Sequence, residues 1–357
     1  MIEPTPYLRW ALRHHGKARY DLATSGIPSF GDEELGAMSG LSDGAAFGRL
    51  RAAIARVTRT PEAEVLPVLG TSQALWTAYA ATLGPGDVAL VERPVYQPLV
   101  VAARSVGAVV EHFDRDPARG WGFAVDDVLA RVGPRTKVVA ISSLHNPTGT
   151  RTPDAIVRDL AAALAPRGAR LIVDEVYAPF DALADDAGLL PTSARALGAN
   201  VIAVSSLTKC FGAGPHRVGW VLAPADVIAR GEDALIATTG HLPSSHAAIG
   251  VRCIEILPAL ATRARRLLAD KRERVAAWVA ARSLPWSAPA EGLFGLVQVT
   301  ETPLESMIER GFEEHGVLTV PGEFFGAPGA LRVAWSLDEA LLDEALARLD
   351  RVIARAR

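Results

Sequence analysis

The chain of 357 residues contains little cysteine and has no excess of positive charge. Both features argue against particular classes of protein. Its two cysteines, Cys210 and Cys253, lie in no CxxC or other metal-like spacing, so the sequence predicts neither a disulfide framework nor a metal site. A net charge of −3 provides no basic surface for nucleic acid or an anionic membrane. We therefore expect no nucleic-acid partner and no membrane partner.

Long apolar segments are missing too. No stretch approaches the ~18 consecutive apolar residues that a membrane-spanning helix needs. The first residues, Met1-Ile2-Glu3-Pro4, lack the basic start and the apolar run of a secretion signal. These features lead us to expect a cytoplasmic protein with reduced thiols.

Lysine is scarce, because arginine carries nearly all of the positive charge. The lysines of the chain are Lys17, Lys137, Lys209 and Lys271. Codon bias in the genome is the ordinary explanation for this composition. The scarcity leaves few candidates for a nucleophilic lysine.

From residue 45 to about Leu222 the chain alternates short apolar runs with segments of helical periodicity. The predicted strands are Val88–Val91, Ala108–Val110, Val138–Ser142, Leu171–Asp174, Val201–Ser205 and Val218–Leu222. Helices are predicted near Phe47–Val57, Ser72–Leu83 and Asp154–Ala165. Apolar strands separated by helices indicate an α/β fold whose mostly parallel sheet is buried on both faces.

The pattern changes after Leu222. The segments predicted there are a helical region near Pro243–Ser283, strands at Leu293–Val299 and Ala330–Trp335, and a last helix from about Asp338 to Ala354. Residues 1–44 look irregular and have no place in the alternating sheet. We predict a large domain over residues 45–250, and a smaller α+β domain formed by residues 1–44 and 251–357.

Two turns after apolar segments carry groups suited to a polar ligand. Gly70-Thr71-Ser72 begins a predicted helix, whose free N–H groups bind phosphate well, although a plain N-cap has the same sequence. Asn146 follows a predicted strand, where side chains face the ligand crevice of an open α/β sheet. Asn-Pro-x-Gly is also a common turn, so neither motif decides the function alone.

Two charged residues follow neighbouring apolar strands. Asp174 ends one of them, and a buried carboxylate needs a partner, which is a cationic ring nitrogen, a nearby arginine or a helix N-terminus. Lys209 follows Val201–Ser205 at the same edge of the sheet. A desolvated lysine close to other cations has a lowered pKa and a nucleophilic amine, whereas a lysine in a surface loop has neither.

The order and spacing of these motifs closely resemble class I/II aminotransferases, which are fold-type-I enzymes that use pyridoxal 5'-phosphate (PLP). The similarity covers almost the whole chain, from Asp21-Leu22 and Gly26-Ile27-Pro28 to Leu331-Arg332-Val333. The resemblance implies a seven-stranded, mostly parallel sheet in the large domain. It also implies a homodimer with its site at the subunit interface.

The resemblance further implies that Lys209 forms a Schiff base with PLP and then shuttles the substrate's proton. Asp174 would keep the ring nitrogen protonated, which makes the ring an electron sink. The other groups implied to bind the cofactor are Asn146 and Tyr177 at the phenolic oxygen, Tyr96 on the ring face, and Thr71, Ser72, Ser206 and Arg217 at the phosphate. Lys209, Asp174 and Tyr177 are the predicted catalytic residues.

For the substrate, the resemblance implies that Arg332 binds the α-carboxylate, with Asn146 and the backbone N–H of Gly26 or Ile27 beside it. The pocket wall is expected from residues 23–30, 240–246 and 291–294. These segments carry few charges and favour an apolar, aromatic or neutral side chain. One departure is that residues 31–60 lack the tyrosine with which the family often reaches its neighbour's phosphate, and Ser39 is a candidate substitute.

The implied activity is a ping-pong transfer of an amino group between an α-amino acid and a 2-oxo acid. Lyases, decarboxylases, racemases and cyclases use the same scaffold, and the motifs do not separate them. A non-catalytic regulatory protein is disfavoured because the cofactor set is intact. A nicotinamide dehydrogenase is disfavoured because no G-x-G-x-x-G opens a helix after the first strand.

Overall fold

The computed structural model describes residues 3–38, 41–180, 188–240 and 242–354, so Ser39 and residue 241 lie outside the described residues. The helices in chain order are α1 (Pro6–His14), α2 (Asp32–Leu35), α3 (Ala46–Thr58), α4 (Gly70–Ala80), α5 (Gln97–Ser105), α6 (Val125–Leu129), α7 (Asp154–Leu164), α8 (Ala225–Ile236), α9 (Ser244–Glu255), α10 (Leu257–Leu268), α11 (Lys271–Ala280), α12 (Glu305–His315) and α13 (Glu339–Ile353). The strands are β1 (Tyr20–Asp21), β2 (Val65–Leu69), β3 (Val88–Arg93), β4 (Val109–Asp114), β5 (Thr136–Ser142), β6 (Arg170–Asp174), β7 (Val201–Ser206), β8 (Val218–Leu222), β9 (Phe294–Gln298), β10 (Val317–Leu318), β11 (Val320–Pro321) and β12 (Ala330–Ala334). None of the described helices is long and apolar enough to cross a membrane.

A seven-stranded sheet of order β2-β8-β7-β6-β5-β3-β4 forms the centre of the fold. Strands β3 to β7 pair in parallel, while β8 pairs antiparallel with both β7 and β2. The predicted mostly parallel α/β sheet is thereby confirmed. Strand β2 was not predicted; it contains Pro67, which an edge strand tolerates because one side of its backbone needs no partner.

The parallel direction brings three predicted site segments together. Strands β5, β6 and β7 are neighbours, and they end at Ser142, Asp174 and Ser206. Since parallel strands present their carboxyl ends at one edge, the loops that carry Asn146 and Lys209 start side by side there.

The C-terminal part contains a second, three-stranded sheet of order β11-β12-β9, which is antiparallel. β1 of the N-terminal segment pairs in parallel with β10. Helix α1 corrects the expectation that residues 1–44 are irregular. Pro6 at its first position starts the helix, and Tyr7, Trp10 and His14 form one buried face.

The helical region predicted near Pro243–Ser283 is three helices rather than one. Pro258 lies in the first turn of α10, where proline fits a helix start but ends the preceding helix. Asp270, with a left-handed φ of 58°, precedes α11 and interrupts the chain again. Helix α8 was not predicted at all.

Two large apolar clusters bear on the predicted domains. The predicted boundary at residue 250 falls within α9, and Ile254 of α9 and Leu260 of α10 pack in the core beside the large sheet. Ile27 packs in the same core, whereas Trp10 packs in the core of the C-terminal part. The N-terminal segment therefore contributes to both cores, and the division into domains stays a prediction.

A buried ion pair joins three strand ends of the large sheet. The side chains of Glu92 on β3 and Arg115 after β4 are at most 1% exposed, and Arg115 Nε donates to Glu92 Oε2 at 2.7 Å. Glu92 Oε1 accepts from both N and Oγ of Ser142, each at 2.7 Å. Arg115 Nη2 donates to Thr152 Oγ1 at 3.0 Å. The pair therefore holds both ends of the loop that carries Asn146.

Replacing Arg115 by leucine should lower the free energy of unfolding by about 3–5 kcal/mol, because Glu92 is left buried without its cation. Urea denaturation followed by circular dichroism measures this loss. The matched control is Arg93→Leu, which breaks an exposed ion pair to Asp114 between the same two strands. It should cost at most about 1 kcal/mol. Equal losses in the two variants would contradict the assignment.

Candidate active site

Lys209 lies after β7 in a cavity of about 200 Å³ that Ser25, Gly26 and Thr208 also line. Its Nζ donates a hydrogen bond to Ser25 Oγ at 2.8 Å. Burial, reinforced by Arg332 and Arg217, lowers the pKa of Lys209 to about 8. An amine in this environment is partly neutral near physiological pH, which a solvated surface lysine is not.

Asp174 is buried at the end of β6. Its Oδ1 accepts a hydrogen bond from the N–H of Val176 at 3.1 Å. Burial raises the pKa of Asp174 to about 7, and the nearby carboxylates of Glu92 and Glu175 act in the same direction. A cationic group bound against Asp174 would lower that pKa again, so this site favours a positively charged partner.

Arg332 on β12 is fully buried and connects the C-terminal part to the loop after β5. Its Nη1 donates to Asn146 Oδ1 at 3.0 Å, and its Nη2 donates to Tyr7 Oη at 2.9 Å and to the carbonyl of Ala23 at 2.8 Å. Asn146 Nδ2 is buried and has no hydrogen-bond partner among the described residues. This unpaired donor points to a ligand oxygen, because buried amide N–H groups are almost always bonded.

The start of α4 forms a cradle with Arg217. Gly70 has a φ of +80°, and a Cβ there would lie 2.7 Å from Arg217 Nη2, so the guanidinium lies against the bare backbone. Arg217 itself adopts a left-handed φ of 53°, a strained conformation that clusters at functional sites. Thr71 Oγ1 donates to Ser206 Oγ at 2.9 Å, and the latter lies 2.7 Å from Thr208 Oγ1. A fixed cation, free helix N–H groups and three hydroxyls suit a phosphate.

The remaining predicted cofactor residues surround the same region. Tyr177 is buried and hydrogen-bonds with Ser25, and burial raises its pKa well above the ordinary value. Tyr96 is half-buried before α5 and meets the ring of Tyr7 edge-on, with centroids 6.0 Å apart. Ser72 lies in the first turn of α4 and is exposed to solvent.

Gly26 and Ile27 were predicted to assist Arg332, but Ile27 bonds the Lys209 loop instead. The N–H of Ile27 donates to the carbonyl of Lys209 at 3.1 Å, so it is not free for a substrate carboxylate. A Cβ on Gly26 would lie 3.5 Å from Lys209 Cα, which shows how closely the two backbones approach. Ile27 therefore holds the Lys209 loop in place.

The predicted pocket wall is also only partly correct. Residues 23–26 line the cavity of Lys209, but Glu291 and Gly292 line a separate cavity beside Phe180. Thr208 and Tyr7 were missed. Thr208 directly precedes Lys209, so adjacency was an available signal. Tyr7 gave none, because its partner Arg332 is more than three hundred residues away.

These observations fit PLP at the carboxyl edge of the sheet. Asp174 suits the ring nitrogen, Asn146 Nδ2 suits the phenolic oxygen, and the cradle of Gly70, Thr71 and Arg217 suits the phosphate.

Comparisons with known proteins agree with this geometry. The family description "Aminotransferase class I and II" matches residues 35–349. Capreomycidine synthase of Streptomyces vinaceus is 30% identical over 98% of this chain and 93% of that protein. The arginine–pyruvate transaminase AruH of Pseudomonas aeruginosa is 29% identical over 80% of this chain and 74% of that protein.

Among solved structures, the PLP-dependent cyclase OrfR superposes with a TM-score of 0.83 at 24% identity, covering 99% of this chain and 98% of that one. This likeness shows the fold. The family match spans most of the chain and agrees with the PLP site described above. The chain therefore belongs to the class I and II aminotransferases, the fold-type-I enzymes that depend on PLP.

Proposed function

We propose that this enzyme transfers an amino group between an α-amino acid and a 2-oxo acid, in two half-reactions at one site. The observation that carries the proposal is Lys209, whose amine has a pKa lowered to about 8 in a cavity beside Asp174 and Arg332. Membership of the aminotransferase family supports it, as does the 29% identity to an arginine–pyruvate transaminase. A cytoplasmic location and a homodimer remain predictions.

PLP, when bound, supplies an aldehyde that reacts with amines and a ring that withdraws electrons from the substrate's Cα. In its neutral form, Lys209 Nζ is the base that removes the proton from that Cα. Asp174 keeps the ring nitrogen protonated through its negative charge. Arg332 orients the substrate by its α-carboxylate, and Arg217 fixes the phosphate.

Hydrogen bonds to neighbouring hydroxyl groups determine the position of the Lys209 amine. Its hydrogen bond to Ser25 holds Nζ at the cavity, and Ser25 in turn bonds Tyr177. This chain of hydroxyl groups orients the amine and gives it a place to return after each proton transfer. The charges of Lys209, Arg217 and Arg332 also attract the α-carboxylate of the substrate.

A second candidate reaction uses the same residues. Capreomycidine synthase, whose name describes a synthase and not a transaminase, matches 98% of this chain at 30% identity. A lyase or cyclase would begin with the same proton removal by Lys209 and differ in the bond that breaks next. The fate of the amino group distinguishes the two.

Incubation of the PLP-loaded enzyme with one amino acid alone should convert the cofactor stoichiometrically to pyridoxamine phosphate, because the amino group stays on the enzyme in the first half-reaction. Absorbance spectroscopy and chromatography of the released cofactor measure this. Addition of a 2-oxo acid should restore the starting spectrum. Release of ammonia, carbon dioxide or a cyclised product, with the cofactor unchanged, would instead favour the second candidate.

Uptake of PLP by the apoenzyme should accelerate about tenfold per pH unit up to about pH 8 and then level off. The reason is that only the neutral amine of Lys209 attacks the aldehyde, and its pKa is lowered to about 8. Stopped-flow absorbance gives the rates.

Borohydride reduction and peptide mass spectrometry provide the control for this prediction. The label should appear on Lys209 in the wild type and be absent in Lys209→Ala. Lys271→Ala should be labelled normally, although burial lowers the pKa of Lys271 too. A pH-independent uptake rate, or a label on another lysine, would refute the assignment.

Asp174→Asn should lower kcat at least about 100-fold and weaken PLP binding, because breaking a buried charge pair costs about 3–5 kcal/mol. Steady-state kinetics and PLP titration measure both effects. The matched control is Glu175→Gln, since burial raises the pKa of Glu175 to about 7 as well. Its carboxylate is bonded to Ser193 Oγ at 2.7 Å and to the N–H of Ala194 at 2.8 Å, outside the cofactor site. Equal losses in both variants would show that Asp174 acts only through stability.

A further inference from the structure

A second set of polar side chains lies in the cavity of Lys209, and none of its members was predicted from the sequence to bind the cofactor. Asp21 of β1 and His14 and Trp10 of α1 line this part of the wall. His15 lies beside them and is exposed. These residues and Lys209 therefore line one cavity.

The hydrogen bonds of His14 show which of its two ring nitrogens already has a partner. Its Nε2 lies 3.1 Å from Glu309 Oε1, which also accepts from Trp10 Nε1 at 2.6 Å. A carboxylate oxygen only accepts, so Nε2 carries the hydrogen, and whenever the ring is neutral Nδ1 presents a lone pair. His14 is 9% exposed, and Nδ1 is buried without a partner among the described residues. Nδ1 is therefore a buried ring nitrogen without a partner, on a residue that lines the cavity.

Asp21 offers acceptors as well. Its Oδ1 accepts from the N–H of Ala23 at 2.8 Å, and the N–H of Thr24 also bonds its carboxylate. Burial raises the pKa of Asp21 above its ordinary value, since these bonds and the charges of His15 and Arg332 only partly offset desolvation. A cation bound beside the carboxylate would stabilise its charged form.

We propose that this end of the cavity binds the cationic side-chain group of the amino-acid substrate, a guanidinium or an ammonium. The inference rests on the proposed function and names its substrate class. The Asp21 carboxylate has lone pairs beyond those bonded by Ala23 and Thr24, and a guanidinium carries five N–H donors and no acceptor. The aromatic ring of Trp10 on the same wall suits a planar cation.

The arrangement disagrees with the expectation of an apolar, aromatic or neutral side chain. Such a side chain would bring no cation to the Asp21 carboxylate, for which the charges of His15 and Arg332 only partly offset desolvation. Among the charged groups in or near this cavity, Asp21 attracts a cationic group, whereas Lys209 and Arg332 repel it. The likeness to an arginine–pyruvate transaminase agrees with this substrate class.

The test titrates the PLP-loaded enzyme with L-arginine and with L-citrulline, in which a neutral urea replaces the guanidinium at equal length. The cofactor absorbance gives the dissociation constants. L-arginine should bind at least about tenfold more tightly. Asp21→Asn should weaken L-arginine about 10- to 100-fold and leave L-citrulline unchanged, because a hydrogen bond to a charged group is lost while the Ala23 N–H keeps its acceptor.

Asp43→Asn is the matched control, since Asp43 Oδ1 likewise accepts the N–H two residues on, from Ala45 at 2.9 Å, but lies outside this cavity. It should change neither constant. His14→Phe provides a second variant that keeps an aromatic ring and removes Nδ1, and it should weaken L-arginine about tenfold. Circular dichroism confirms that each variant is folded.

The outcomes separate this inference from the proposed function. Equally tight binding of L-citrulline, or no binding of L-arginine, L-lysine or L-ornithine, overturns the inference. Equal losses for both ligands in Asp21→Asn and His14→Phe overturn it too. If L-arginine binds in an Asp21-dependent way but forms no pyridoxamine phosphate, the inference stands and the proposed transamination fails.

Discussion

The buried ion pair between Glu92 and Arg115 is the constraint on which the rest of the site depends. It ties the end of β3 to the start of the loop after β5 and, through Thr152, to the end of that loop. An isolated charge at this depth would cost several kcal/mol, so the pair persists only with all of its hydrogen bonds made. The loop therefore has little freedom, and Asn146 is presented in one place.

Asn146 connects this loop to the C-terminal part of the chain. Its Oδ1 receives Arg332 Nη1 at 3.0 Å, and Arg332 also bonds Tyr7 of helix α1. One fully buried guanidinium thus connects the loop of the large sheet, the small sheet and the N-terminal helix. Removal of the Asn146 side chain would leave Arg332 Nη1 without this acceptor and remove the direct bond between the loop and the small sheet.

How far the sequence predicts this structure depends on the range of the interactions. Strand β6 and its last residue, Asp174, follow from local patterns, because the interior of a buried parallel strand is apolar and its polar end is conspicuous. The family resemblance added the order of the motifs. Helix α1 and the contact between Tyr7 and Arg332 escaped prediction, since the buried face of a nine-residue helix is weak evidence and its partner lies at the other end of the chain.

In the proposed function, the residues that carry out catalysis and those that select the substrate lie on different parts of the fold. Lys209 and Asp174 follow adjacent strands of the large sheet, whose pairing fixes them relative to each other. His14 and Asp21 lie on α1 and β1, which pack on the C-terminal part. Under the proposed cation site, changes in α1 would alter which side chain is accepted, while Lys209 and Asp174 stay in place.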